Sequence, residues 1–416
     1  MRISIEANRN DIVPAFNWIS GQIGAALDQQ VGAFQQQERK NPLLTTHFRE
    51  TCALEFTLAE ARKYRKNTGR LPRGDEYDRL YSFLISAYRI HQALPREARK
   101  PFEGRLLMAV NGAHGLRPFA YELNIATHLM GKNWNVDFVD YSGLARFDFL
   151  ARQGTTEIEV ECKTTSGDTG RKIHRQEVNR LADTILPTTE QLAEMPGCHL
   201  IHVTIPGRLG KSMEELSGIA AVVATAADHK MSVSRELASV NYAFRNLDSW
   251  PEPYRDPNFR EFFEQQFGRK NSHLLFRGRH GFSVVAVMIT SAKADSVVET
   301  IAAQAKEAAD QCSGTRPALI ALHLVDPISR PELHGMLKTA NGMHAIAGAV
   351  FKGGSRLHVD SVAFTVPQRI LTDGVGSTRL SGDVIVLNNP QPQFSCDQIR
   401  SIFRADWRNR PKSAGV

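Results

Sequence analysis

The spacing of apolar positions changes along the chain and separates a helical first quarter from a mixed remainder. Between residues 76 and 94 apolar side chains such as Leu80, Phe83 and Leu84 recur every three to four positions. This spacing predicts a helix with one buried face, and similar segments predict a helical N-terminal region over 1–112. From Arg117 onward, apolar stretches of strand length alternate with helical ones, a pattern typical of an α/β core.

The α/β part is predicted to consist of two regions. The first, over 113–245, has an expected helix over 118–130, strands over 136–139, 146–152, 157–165 and 199–205, and a helix over 171–192. Prolines and charges over 250–271 mark a boundary. The second α/β region, over 272–416, has expected strands over 282–290, 318–325, 345–351 and 358–366 and an alanine-rich helix over 294–312.

Composition narrows the class of protein. With 416 residues, 42% apolar and 23% charged, the chain can build two or three buried cores and is not disordered. Its apolar stretches fall short of the roughly 20 residues that span a bilayer, and its first ten residues turn polar and charged. We therefore expect a cytoplasmic protein that does not contact membranes. Lysine and arginine outnumber acidic residues by 51 to 44, which favours polyanionic partners.

Residues 146–163 carry the most chemical information. Gly154-Thr155 suits a two-residue hairpin turn of type II′. Counting outward from this turn leaves one face apolar and places Asp148 opposite Glu161 on the other, with Lys163 one step further. Opposed carboxylates repel each other, so we expect a cation between them. Mg²⁺, or Mn²⁺ in its place, prefers such oxygen ligands; an ordinary solvent-facing hairpin of mixed charge is the alternative.

Two further side chains on this polar face bear on the chemistry. Lys163 is expected to orient a water nucleophile or to stabilise the charge that develops on a phosphate during hydrolysis. Glu159 could compete with Glu161 as a ligand, but its expected partner across the hairpin is Leu150 rather than an acid. Glu161 is therefore the preferred ligand.

Asp148, followed after twelve residues by Glu161-Cys162-Lys163, resembles the PD-(D/E)xK nuclease superfamily over 117–207. The resemblance implies a restriction-endonuclease-like core, a mixed sheet flanked by helices, in which Asp148 and Glu161 hold Mg²⁺ and Lys163 is catalytic. It departs from the family at Phe147, where proline is frequent.

The family often adds an acidic residue from the helix before the sheet, and Glu122 occupies the matching place. The sequence itself singles out Glu122, which shares a helix flank with Phe119, Ile125 and Leu129 and so points partly toward the core. The resemblance implies that Glu122 is a further metal ligand or catalytic acid. An ordinary surface glutamate is the alternative.

The helix predicted after the hairpin begins with a basic segment. Arg171, Lys172 and Arg175 are expected to contact backbone phosphates of a nucleic acid. His174 either joins them or belongs to the apolar stripe of the helix, and both interpretations remain open. We rank the four residues as substrate-binding rather than catalytic.

Together these patterns predict a metal-dependent nuclease that hydrolyses phosphodiester bonds, with DNA as the expected substrate. The first alternative is a non-catalytic nucleic-acid-binding protein with the same fold, and an intact set of two acids and a lysine argues against it. The second is an interaction scaffold in a defence system. The large flanking regions leave room for a protein partner or for a homo-oligomer.

Overall fold

The part of the chain that the structure describes comes from a computed structural model. It comprises residues 1–4, 9–41, 43, 52–112, 114–141, 143–166, 168–246, 273–279, 281–324, 342–352, 354–365, 369–372, 378–381 and 384–403. These residues form helices and two mixed sheets, which confirms the mixed α/β class. The predicted boundary over 250–271 lies outside the described residues. Among the described helices, none is long and apolar enough to cross a membrane.

Helices occupy most of the described N-terminal region, as the apolar spacing predicts. They are α1 (Arg9–Lys40), α2 (Ala53–Thr68), α3 (Asp75–Ala93), α4 (Arg96–Asn111) and α5 (Arg117–Gly131). Further along the chain follow α6 (Arg175–Ala193), α7 (Met213–His229), α8 (Val297–Gln311), α9 (Met343–Phe351), α10 (Asp397–Ser401) and a 3₁₀ turn over Gly354–Arg356.

Within the described residues, the strands follow α5 in the chain. Those before residue 250 are β1 (Asn135–Phe138), β2 (Phe149–Gln153), β3 (Thr156–Thr164), β4 (Gly197–Ile205), β5 (Val233–Ser234) and β6 (Ser239–Arg245). The later ones are β7 (His273–Arg279), β8 (Ser283–Ser291), β9 (Ala318–His323), β10 (Val359–Thr365), β11 (Arg369–Thr372), β12 (Thr378–Ser381) and β13 (Val384–Asn388).

Most of these strands form two large sheets, in which several neighbouring strands are not consecutive in the sequence. The six-stranded sheet runs β1-β2-β3-β9-β10-β13, in which β3, β9 and β10 are parallel and the remaining pairs antiparallel. The five-stranded sheet runs β5-β6-β4-β8-β7, with β4 and β8 parallel. Strands β11 and β12 pair with each other. Strand β3 is therefore an interior strand of the first sheet, which accounts for its burial.

The chain divides into two compact units that do not follow the predicted linear order. The first unit comprises Met1–Val31, Thr51–Thr169 and Val298–Val416, and the second comprises Gly32–Glu50 and Gly170–Val297. Strand β4, predicted within the same region as the hairpin, pairs with β6 and β8, while β9 and β10 from the C-terminal region extend the hairpin sheet. Such parallel pairings join strands far apart in sequence, so local pattern does not predict them.

Two predicted elements need correction. Residues 345–351, expected as a strand, belong to helix α9, in which Met343, Ile346, Ala347 and Val350 are buried at helical spacing. The helix expected from Arg171 begins at Arg175, so the basic segment precedes the helix instead of forming its first turn. The other strands and helices predicted within the described residues are present, with their ends shifted by a few positions.

The predicted hairpin and its register are confirmed. Phe149 faces Val160 and Arg152 faces Glu157 between β2 and β3. Gly154 begins the turn with a φ of 60°, the left-handed conformation that glycine adopts without strain. The apolar side chains of the hairpin are buried, as expected for a face that covers the core.

Helix α5 packs against β1 and β3, and a buried carboxylate holds its first turn. Glu55 of α2 is 1% exposed, and its carboxylate accepts the backbone N–H of Leu116 directly before α5. Gly115 has a φ of 59°, and a Cβ there would overlap Glu55 Oε1. Burial raises the pKa of Glu55 to about 7, although the Leu116 N–H opposes the shift.

Replacing Glu55 by glutamine should change how stability depends on pH. Because the folded pKa of about 7 exceeds the ordinary 4.5, the folded state binds the proton more tightly, and wild-type stability falls as pH rises from about 4.5 to 7. The amide keeps an acceptor for Leu116 N–H without this loss. We expect Glu55→Gln to gain up to about 3 kcal/mol relative to wild type between pH 5 and pH 8, at 1.36 kcal/mol per pKa unit.

Urea unfolding at both pH values measures this difference. Glu60→Gln is the matched control, because Glu60 is an exposed carboxylate on the same helix α2. Its stability relative to wild type should vary little between the two pH values. An equal pH dependence of wild type and Glu55→Gln would contradict the prediction.

Candidate active site

Asp148 and Glu161 meet at the open end of the β2–β3 hairpin. Asp148 Oδ2 accepts the backbone N–H of Cys162 at 2.7 Å, and Glu161 Oε2 accepts the backbone N–H of Asp148 at 3.1 Å. Each carboxylate therefore accepts a hydrogen bond from the backbone of the opposite arm of the hairpin. Both are buried, at 6% and 3% exposure. The opposed pair that the register predicts is present.

Lys163 lies on the same polar face and contacts Glu161. Its Nζ is 2.9 Å from Glu161 Oε1 and donates to Gln311 Oε1 at 2.7 Å. Gln311 is the last residue of α8. The ammonium group is thus held between a carboxylate and an amide oxygen, and its side chain is 27% exposed.

Glu122 joins the cluster from α5 through an arginine of α4. Arg105 Nη2 lies 2.7 Å from Glu122 Oε1 and 3.6 Å from Asp148 Oδ1, and Arg105 Nη1 donates to Asp140 Oδ2. Glu122 is 8% exposed, so it is not an ordinary surface glutamate. The structure brings together all four predicted catalytic residues, Glu122, Asp148, Glu161 and Lys163.

The cluster carries more negative than positive charge. Four carboxylates (Glu122, Asp140, Asp148 and Glu161) face two cations, Arg105 and Lys163, an excess of two negative charges if all are ionised. Burial, followed by the repulsion of Asp148, raises the pKa of Glu161 to about 8 and that of Glu122 well above its ordinary value. Burial likewise raises the pKa of Asp140 to about 6 and that of Asp148.

These residues suit a hard divalent cation by their chemistry. All the acidic donors are carboxylate oxygens, as Mg²⁺ and Mn²⁺ prefer, and Asp140 Oδ1 is buried without a hydrogen-bond partner. In the described part of the chain, however, no three His, Cys, Asp or Glu side chains already converge as metal ligands do. Arg105 binds oxygens of Glu122, Asp140 and Asp148 that a metal would use.

Glu159, the alternative ligand to Glu161, binds residues outside the cluster. It faces Leu150 as predicted, accepts the backbone N–H of Ser313 at 2.6 Å, and lies 3.3 Å from Arg316. The preference for Glu161 over Glu159 therefore agrees with the geometry.

The basic segment belongs to the second unit. Arg171, Lys172, His174 and Arg175 are half-buried, and His174 is the N-cap residue of α6. Lys172 N donates to Asp295 Oδ1 at 2.8 Å. His174 Nδ1 lies 3.5 Å from Arg208 Nη2, so it belongs to a polar surface at the start of α6 and not to the apolar stripe.

Sequence reasoning missed three residues of the cluster, Arg105, Asp140 and Gln311. Asp140 lies two residues after β1, and an acid close to the end of a strand is a weak signal. Arg105 and Gln311 lie on helices where charged and amide side chains are ordinary. Gln311 contacts Lys163 across 148 positions of sequence, a separation at which local pattern carries no information.

The described fold and the cluster define a mixed α/β protein in which carboxylates, an arginine and a lysine gather at the open end of one hairpin. No protein-family model, no curated protein and no solved structure matches the chain. The resemblance to PD-(D/E)xK nucleases therefore rests on Glu122, Asp148, Glu161 and Lys163 and on their placement.

Proposed function

We propose that the protein is a metal-dependent nuclease with a restriction-endonuclease-like core, which hydrolyses phosphodiester bonds of DNA in the cytoplasm. The observation that carries the proposal is the reciprocal pairing of Asp148 and Glu161 with Lys163 2.9 Å from Glu161. The surrounding sheet, an antiparallel hairpin continued by parallel strands, supports it as the mixed sheet that the resemblance implies.

Each residue of the cluster has a role in this proposal. Asp148 and Glu161 would hold Mg²⁺ or Mn²⁺, and Glu122 would add a further ligand or hydrogen-bond to a water in the site. When bound, the metal supplies Lewis-acid polarisation of the phosphate and lowers the pKa of water. Lys163 Nζ would orient the attacking water and stabilise the charge that develops on the phosphate oxygens.

The experiment that tests the proposal is incubation with plasmid, linear and single-stranded DNA and with RNA, each with Mg²⁺, Mn²⁺ or EDTA. We expect DNA cleavage with either metal and none in EDTA. Protein carrying Asp148→Asn, purified in parallel, controls for contaminating nucleases. Equal cleavage by both proteins, or none by wild type on any substrate, would count against the proposal.

A second candidate function is non-catalytic binding of nucleic acid. The observation in its favour is Arg105, which lies among Glu122, Asp140 and Asp148 and neutralises part of their charge without a metal. On this alternative the cluster is a structural ion network, and nucleic acid binds equally well in metal and in EDTA. The same incubations followed by gel-shift measurements separate the two candidates.

We propose that the basic segment binds backbone phosphates. Arg171→Gln combined with Arg175→Gln should weaken DNA binding similarly for all sequences and reduce the slope of log K against log salt by about 0.9 per lost contact. Arg277→Gln with Arg279→Gln removes two charges from β7 of the same unit and is the control. Fluorescence anisotropy over a salt series gives both slopes; equal slopes for the two double variants would contradict the assignment.

A further inference from the structure

Arg105 is the cation on which three carboxylates of the cluster converge. Its guanidinium is 2.7 Å from Glu122, 3.6 Å from Asp148 and hydrogen-bonded to Asp140. These acids come from three separate places: helix α5, the turn after β1, and the residue before β2. A planar guanidinium suits this arrangement, because its N–H groups can reach several carboxylates at once.

The contacts of Arg105 overlap with those that a metal needs. Asp148 and Glu122 are among the proposed ligands, and Arg105 Nη2 lies against an oxygen of each. Glu161 is not bound by Arg105, since its partner is Lys163. A divalent ion that binds Asp148 would therefore lie close to the guanidinium charge, and the two cations would repel each other.

Arg105 also has a contact that a metal does not remove. Its Cζ lies 5.6 Å from the centre of the Tyr141 ring, a distance at which an aromatic face attracts a guanidinium. The Arg105 side chain is 37% exposed. It can therefore move away from the carboxylates toward solvent without being left in a buried, unpaired position.

We propose that Arg105 is the internal counterion of the metal-free site and competes with the divalent cation for the carboxylates of Asp148 and Glu122. The inference rests on the proposed metal site. Metal binding then requires Arg105 to leave these oxygens, which lowers the apparent metal affinity. Conversely, Arg105 stabilises the folded protein when metal is absent, because the buried carboxylates would otherwise repel each other.

Calorimetric titration with Mn²⁺ alone tests the competition. We expect Arg105→Gln to bind Mn²⁺ about tenfold more tightly than wild type, or better, where tenfold corresponds to 1.4 kcal/mol. Arg105→Lys keeps the charge but cannot bridge the carboxylates, so its affinity should lie between the two. Arg152→Gln is the matched control: Arg152 is 40% exposed and also binds two carboxylates, Asp137 and Glu157, outside the cluster. Its Mn²⁺ affinity should equal that of wild type.

Thermal unfolding with and without Mn²⁺ distinguishes competition with the metal from a purely structural role of Arg105. In EDTA we expect Arg105→Gln to melt below wild type, and in saturating Mn²⁺ the difference should shrink or reverse, because the metal replaces the lost positive charge. A structural contact alone would lower the melting temperature equally in both conditions. A variant that folds only with Mn²⁺ would support the competition.

The outcomes separate this inference from the proposed function. If neither wild type nor Arg105→Gln binds Mn²⁺, the metal site itself is wrong. If wild type binds Mn²⁺ and Arg105→Gln binds it equally or more weakly, the competition is overturned and the metal site stands. If Arg105→Gln folds in neither condition, Arg105→Lys decides, and Mn²⁺ binding no tighter than wild type overturns the proposal.

Discussion

Asp148→Asn and Glu161→Gln are each expected to abolish metal-dependent cleavage while leaving the fold intact. Either change removes a charged ligand from the proposed metal site and with it several kcal/mol of transition-state stabilisation. Since each 1.36 kcal/mol is a factor of ten in rate, we expect a loss of at least about 10³-fold. A quantitative plasmid-cleavage assay with Mg²⁺ and with Mn²⁺ measures the loss.

Amide replacements isolate the metal-binding role better than alanine. Asp148 Oδ2 and Glu161 Oε2 accept the backbone N–H groups of Cys162 and Asp148, and alanine would leave both donors without their partners. An amide oxygen still accepts them, and loss of one negative charge relieves repulsion in the cluster. We therefore expect the unfolding free energy in EDTA to stay within about 1 kcal/mol of wild type, which is the lower end of the cost of a buried polar group left without its partner.

Glu157→Gln is the control for these two variants. Glu157 lies on the same face of β3, but it is 38% exposed and binds Arg152 and Arg316 instead of the cluster. It should cleave at the wild-type rate. Wild-type cleavage by Asp148→Asn or Glu161→Gln would show that the metal assignment is wrong.

The hairpin can be predicted from the sequence because the features that determine its pairing lie within its own residues. A two-residue turn, a period of two and an apolar face together determine which residues face each other. The pairing of Asp148 with Glu161 followed from these features alone, and the structure confirms it. Helix α5 can also be predicted from its own residues. Its apolar spacing indicates the buried face, and the proline in its first turn indicates where the helix begins.

Sheet composition was not predictable in the same way. Strand β3 pairs in parallel with β9, although more than 150 residues separate Val160 from Leu319. Apolar strands buried on both faces look alike in sequence, so pattern cannot indicate which one lies beside the hairpin. The same ambiguity explains residues 345–351, where a short apolar run suits a strand or a buried helix equally well.

Within the candidate site, the residues on the hairpin were predictable and the residues that neutralise them were not. Asp148, Glu161 and Lys163 lie in one local element, and Glu122 was found through its place on an apolar helix flank. Arg105 comes from a different helix, and an arginine on a helix is ordinary by itself. Its role appears only when the fold brings Asp140, Glu122 and Asp148 around it.

Lys163→Met is expected to lower cleavage by about 10²–10³-fold, the usual cost of losing one preorganised group that stabilises developing charge. The methionine side chain keeps the length and the packing of the lysine stem but has no ammonium group. Metal binding should be retained or strengthened, because Glu161 loses its positively charged partner at 2.9 Å. Single-turnover cleavage at saturating Mn²⁺, together with calorimetric Mn²⁺ titration, separates the two effects.

Gln311 provides a second test of the same role. Its Oε1 accepts from Lys163 Nζ at 2.7 Å, so Gln311→Leu should leave Lys163 held by Glu161 alone and lower the cleavage rate by about tenfold, equivalent to one hydrogen bond to a charged group. Gln311→Glu keeps an acceptor and should retain more activity than Gln311→Leu. Because Gln311 acts through Lys163, adding Gln311→Leu to Lys163→Met should cause little further loss. Additive losses, or wild-type cleavage by Lys163→Met, would contradict a catalytic Lys163 positioned by Gln311.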